Sequence, residues 1–269
     1  PPRSTLFPYT TLFRSHQWMS FYLRLFLGDQ YSITYEDRLS NTHCATAARD
    51  GAPQPASPLR PTGRWIEGGT IASIDVPSFA EPSYECEAVE LVRQYSGAAG
   101  LLVDLRRNGG GECTERLASA LHIRPFRYHG DSTPVSVGIV EARRSLGLSA
   151  YQPFGDCHMT WQKPAQQPAE KPYPGVLIFL TSKTTCSAAE SFLMTFVENG
   201  RAAVVGETTA GSTGQPYMYR FPDGRALWIG TSRVHAPDGS RFEGVGIRPT
   251  VEICLTRDEI GRASCRERV

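Results

Sequence analysis

The chain has 269 residues, 40% of them apolar and 10% aromatic, with a formal net charge of +1 at neutral pH. That composition is ordinary for a packed globular protein. No apolar run approaches the roughly 20 residues a membrane span needs, and a near-neutral charge gives no footprint for nucleic acid.

The two ends stand apart from the rest. Residues 5–15 read TLFPYTTLFRS and residues 259–269 read EIGRASCRERV. A back-translation of the first, reverse-complemented, encodes the second in a shifted frame. Both read as translated sequencing adaptor, so 1–15 and 259–269 are set aside from fold reasoning. The natural part is then expected over about 16–258, cut at both ends. Five arginines leave with two glutamates, and the charge becomes −2. Six cysteines remain without Cys265. No CxxC pair exists among them, which gives a zinc site little support. An even count permits disulfides, and buried free thiols fit equally.

Residues 16–63 are expected to be a truncated N-terminal segment. QYSITYED (30–37) reads as a strand, and GAPQPASPLRPTG (51–63) reads as a linker because its prolines fix φ and remove donors. The main domain is expected over 64–258. A strand at 70–76 leads it, and a helix over 81–97 follows, with Ala88, Leu91, Val92 and Tyr95 at helical spacing. AGLLVDLRRNGGGE (99–112) is a buried strand that breaks into three glycines. CTERLASALHI (113–123) reads as a helix. Strand, helix, strand, glycine turn, helix predicts a parallel or mixed sheet with helices on its faces.

Residues 124–173 show little periodicity, and the proline-dense 161–174 reads as an exposed extended loop. PGVLIFL (174–180) is a buried strand, TSKTTCSAAE (181–190) a polar turn, and 191–200 an amphipathic helix. RAAVVGE (201–207) is another strand. Residues 217–242 alternate around Asp223-Gly224 and Asp238-Gly239, which predicts antiparallel strands. EGVGIRPTVEI (243–253) closes with a short strand.

Ser187 falls where the turn becomes a helix. A hydroxyl there faces the free N–H groups of the first turn and the positive end of the helix dipole, a good place for a nucleophile beside developing negative charge. Ser187-Ala-Ala-Glu190 is equally the S-x-x-E of a capping box, so the local pattern also fits a plain helix start. Asn108-Gly109-Gly110-Gly111 can aim successive N–H groups at one spot. Such a nest serves a phosphate or an oxyanion, and neither G-x-G-x-x-G nor Gly-Lys-Ser/Thr is present. Lys183, His122, His129, His158 and His235 read as structural or surface residues. Cys186 reads as a small apolar filler.

DLRRNGGG, TTCSAAE, GRAAVVGETTAGSTGQP and DGSRFEGVGIRPTVEI occur in this order over about 68–253. The series resembles the C-terminal processing (tail-specific) serine peptidases, with their tricorn-core and retinoid-binding branches. The resemblance implies an α/β fold with a crotonase-like ββα core, a mixed sheet, helices on its faces and antiparallel strands near the C-terminus. A PDZ domain often precedes that core, and 16–63 would hold its remnant. The resemblance makes Ser187 the nucleophile and the N–H groups of Gly110 and Ala188 the oxyanion hole. Asp104, Arg106 and Asn108 would shape the strand end.

Many members activate the serine with a lysine, and Ser212 stands at that position here. Gln215 lies one residue from the family's glutamine. Another branch pairs an upstream histidine with a glutamate, and Glu243 matches that glutamate. No D-x-H-like segment is present, and His43, in NTHCAT, does not match one. The implied activity is peptide-bond hydrolysis of a polypeptide substrate near its C-terminus, in the periplasm or outside the cell. No cofactor, metal, nucleic acid or membrane span is implied. The alternative is a catalytically silent peptide- or lipid-binding protein on the same fold.

Overall fold

A computed structural model of the chain describes residues 30–36, 42–48, 60–112, 114–134, 158–214, 216–222 and 224–253. The chain divides into two compact units, Pro1–Ser57 with Phe221–Arg225, and the remainder. In the first, β1 (Gln30–Glu36) pairs antiparallel with β2 (Thr42–Ala48).

The second unit is built on a six-stranded sheet. β3 (Thr62–Ile66) turns through a short 3-10 segment, Glu67–Gly69, into antiparallel β4 (Ile71–Asp75). From there the sheet is parallel. Helix α1 (Pro82–Gln94) returns the chain to β5 (Gly100–Asp104), α2 (Glu115–Leu121) follows, and β8 (Val176–Thr181) adds beside β5. Helix α3 (Ala188–Glu198) carries the chain to β9 (Ala203–Gly206), and β13 (Val251–Glu252) closes the edge. Parallel neighbours need such crossovers, which is why strand and helix alternate in the sequence.

Every second residue of the inner strands is buried: Ala72 and Ile74, Leu101 and Val103, Leu177 and Phe179. Helix α3 lays Ala189, Phe192, Leu193 and Phe196 on the core at helical spacing. Phe179, Phe192 and Phe196 meet there with ring centroids 4.8 to 5.4 Å apart.

Residues read from the sequence as aperiodic hold two further strands. β6 (Gly130–Pro134), β7 (His158–Gln162) and β12 (Arg233–His235) form an antiparallel sheet of order β12-β6-β7. β6 is polar and carries no apolar alternation. Hydroxyl bonds from Thr133 to the Thr231 carbonyl and from Ser232 to Asp131 tie it to the residues that lead into β12. β10 (Pro216–Arg220) and β11 (Ala226–Gly230) form the hairpin expected at the first Asp-Gly pair.

The proline-dense stretch is a tethered strap. Ala169 N–H donates to Ser119 O and Tyr173 N–H to Ala120 O, each at 2.8 Å, and the buried Tyr173 hydroxyl donates to Ala98 O at 2.9 Å. These bonds satisfy the last carbonyls of α2, so the helix stops at Leu121 rather than 123. Arg201 completes the tie, donating to Leu121 O, Gly175 O and Tyr173 O at 2.8 to 3.1 Å. Arg201→Met keeps the stem and orphans three carbonyls. It is expected to destabilise the fold by about 2–4 kcal/mol in urea unfolding.

Candidate active site

The turn after β8 is fixed by hydroxyls. Ser182 and Thr184 both donate to Arg106 O at 2.6 Å, and Thr185 donates to Leu105 O at 2.8 Å. Cys186 N–H reaches Asn108 O at 3.1 Å. The TSKTTCS turn is thereby stitched to the end of β5 and the glycine loop.

That stitching brings Ser187 against Gly110. A Cβ placed on Gly110 would lie 2.6 Å from Ser187 Cβ and 3.0 Å from Ala188 N, so the two loops are in direct contact. Ser187 has φ 58° and ψ −124°, and it is the one non-glycine residue at positive φ among the described residues. A helix-capping serine ordinarily has extended φ. Here the strand instead breaks into the helix through a sharp elbow, a conformation that costs about 1–3 kcal/mol. Ala188 is the first residue of α3, where N–H groups have no helical partner.

The Gly110 N–H donates to Asn108 Oδ1 at 2.8 Å, and the fully buried Asn108 amide donates in turn to Val76 O at 2.9 Å. Gly111 sits next to this bond at φ 143°. Its neighbours' backbone groups pair with Phe79, and its own N–H bonds to none of the described residues.

A third loop, 207–214, closes on the same turn. Ser187 N–H donates to Ser212 O at 3.0 Å and to Glu190 Oε2 at 3.1 Å. The fully buried Glu190 carboxylate also accepts the Thr209 hydroxyl, Gly211 N–H at 2.7 Å and Ser212 N–H at 3.0 Å. Burial pushes its pKa up against those four donors. Glu243 accepts the Thr213 hydroxyl at 2.9 Å and the Thr213 N–H at 3.2 Å, and Gly244 N–H reaches Gly211 O at 2.8 Å. Ser187, Gly110, Ala188, Ser212 and Glu243 therefore gather around one turn. Gln215 lies outside the described residues.

Cys186 beside the serine donates its thiol to Ser212 O at 3.3 Å. Burial first, then the charges of Glu190 and Glu243, push the thiol up to about 12, so it stays protonated at neutral pH. Lys183 points to Glu207 at 3.6 Å, His129 to Asp131 at 3.2 Å, and His235 to Ser132 at 3.2 Å. His122 is fully buried under helix α3. Among the described residues no group of three His, Cys, Asp or Glu converges as metal ligands would, and no helix is long and apolar enough to cross a membrane.

Solved structures share this fold. A peptidase from Parabacteroides merdae matches at TM-score 0.58 and 18% identity, over 74% of this chain and 59% of that one. Mature CPAF complexed with lactacystin matches at 0.63 and 16%, over 89% and 66%. The photosystem II D1 C-terminal processing protease matches at 0.54 and 18%, over 84% and 55%. This chain thus spans between 55% and 66% of the length of these three proteins. The sequence model of peptidase family S41 matches residues 70–253. That span is more than half of the chain and contains the glycine loop, the serine elbow and the loop that closes on it, so this chain belongs to peptidase family S41.

Proposed function

We propose that the chain is a serine endopeptidase of the C-terminal processing type, acting through an acyl-enzyme on Ser187. The observation that carries this reading is the strained Ser187 elbow, pressed against Gly110 at the start of α3. Strain of this kind persists where surrounding structure over-determines it, commonly at reacting groups.

In the proposed reaction Ser187 Oγ bonds to the scissile carbonyl carbon while its proton passes to a base. The carbonyl oxygen becomes an oxyanion, held by the N–H groups of Ala188 and the glycine loop. The C–N bond breaks as the base returns the proton to the leaving amine, and water repeats the sequence to free a carboxylate. At Gly110 the oxyanion competes with Asn108 Oδ1 for the N–H. Ser212 cannot take the proton as the family's lysine does. In this reading Glu243, at the glutamate position of the His–Ser–Glu branch, orients a histidine base; its carboxylate accepts the Thr213 hydroxyl and N–H among the described residues. The substrate class is an extended polypeptide near its C-terminus, in the periplasm or outside the cell.

A catalytically silent peptide- or lipid-binding protein is the second reading. Two observations favour it: serine at the lysine position, and an Asn108 side chain that already occupies the Gly110 N–H. A fluorophosphonate probe separates the two, because it labels only an activated serine. The expected result is labelling of the wild-type chain and none of Ser187→Ala. Equal signals from both proteins, or none from either, overturn the peptidase reading and leave the binding one.

A further inference from the structure

We infer that Glu190 is a positioning residue for Ser187, its buried carboxylate tying the strained serine turn to the 209–212 loop. The inference rests on the peptidase reading above and deepens it.

A capping box accounts for only one of the Glu190 bonds, the one from Ser187 N–H. The other three come from a separate loop: the Thr209 hydroxyl, Gly211 N–H and Ser212 N–H. An ionised carboxylate offers about four acceptor sites, and four donors fill them. The same loop returns a bond to the serine, because Ser212 O accepts Ser187 N–H. Ser187, Glu190 and Ser212 therefore close a triangle of bonds around the backbone that carries the reacting hydroxyl. Removing the carboxylate leaves the serine amide with one partner, on a loop that has itself lost three anchors. The elbow is then free to relax toward ordinary φ, which turns the hydroxyl and the Ala188 N–H away from a shared target. A displacement of about 1 Å at a reacting group is enough to cost roughly 100-fold in rate.

Glu190→Gln keeps the shape and replaces two acceptor sites with N–H donors that face donors. Saturation labelling with the fluorophosphonate probe is compared for wild type, E190Q, E190D and S187A, with two-dimensional NMR of the backbone amides alongside. E190Q is expected to cut the saturating labelling rate by about 100-fold while the half-saturating probe concentration stays unchanged. E190D, which keeps the charge, is expected to recover part of the rate. The amide signals of Ser187, Gly211 and Ser212 are expected to move in E190Q. Labelling of E190Q at the wild-type rate overturns the inference. If wild type itself is not labelled, the peptidase reading fails separately, and the amide signals decide alone: unmoved signals in E190Q overturn the role of Glu190. Should E190Q not fold, Thr209→Val removes one donor and leaves the carboxylate in place. The same rate and amide comparison then applies, with wild-type values overturning the inference.

Discussion

Gly110→Ala is expected to abolish Ser187 labelling, while Gly109→Ala, one residue away, leaves it close to wild type. The two glycines differ in surroundings and in backbone conformation. A Cβ on Gly109 meets nothing within 4 Å, and its backbone is not at positive φ. A Cβ on Gly110 falls 2.6 Å from Ser187 Cβ, 2.9 Å from Cys186 O and 3.0 Å from Ala188 N. Two of those neighbours are backbone atoms, pinned by the hydroxyl bonds of the 182–185 turn, so they cannot step aside cheaply. The residue also sits at φ 105°, a region that L side chains rarely adopt. Relief must come from the elbow or from the glycine loop, and either motion separates the serine from its N–H donors. Strain of about 1–3 kcal/mol is expected, seen as a Tm lowered by about 2–4 °C per kcal/mol. Loss of a positioned donor adds about 100-fold or more in labelling rate. Similar labelling of the two alanine variants would show that the loops do not act together.

Much of this was legible in the sequence, and for one reason. A buried strand followed at once by polar or glycine residues and then a helix has few ways to fold. The elbow at Ser187 and the loop at Gly110 both announce themselves in that way. Their contact is not local information. It depends on β5 and β8 being neighbours, which the parallel pairing of Val103 with Phe179 supplies. The Asn108 bond to Gly110 N–H was hidden for a related reason. Its orientation is set by Val76 O, 32 residues away.

Elsewhere the sequence misled where polar groups, rather than apolar ones, hold the backbone. β6 reads as loop because its strand character comes from partners far along the chain. Helix α2 ends before its sequence pattern predicts because the strap and Arg201 take its last carbonyls. Its start is equally remote in origin. Glu85 of α1 accepts Arg116 N–H and Leu117 N–H, a cap supplied by another helix. The S-x-x-E at 187–190 shows the opposite error. The motif explains a single bond of Glu190, and its reach into the 209–212 loop has no signature in the string.

Acid is expected to destabilise this protein through one histidine, well above the range where carboxylates titrate. His122 is fully buried between Phe126 and Phe196, with ring centroids 4.1 and 4.0 Å away and planes tilted by 10° and 11°. Its tautomer follows from its neighbours. The Thr195 hydroxyl hydrogen is spent on Phe192 O, so Thr195 Oγ1 must accept from His122 Nε2–H at 2.9 Å. Asn199 Oδ1 accepts Arg201 N–H, which turns the Asn199 amide nitrogen toward His122 Nδ1 at 3.4 Å. A second ring proton on Nδ1 would therefore face a donor. Burial first, and the Arg201 charge second, lower the pKa from 6.5 to about 3. The unfolded chain takes up a proton near pH 6.5 that the folded chain refuses, so stability present above 6.5 is lost as pH falls toward 3. The slope is about 1.4 kcal/mol per pH unit, or about 2 kcal/mol between pH 6.5 and 5. His122→Gln can still donate to Thr195 and does not titrate. Its urea-unfolding free energy should be lower than wild type at pH 8 and should flatten between pH 6.5 and 5 by the equivalent of one proton. A variant whose slope in that window matches wild type would mean that the folded protein accepts the proton, and that the ring is not sealed from water between its two phenylalanines.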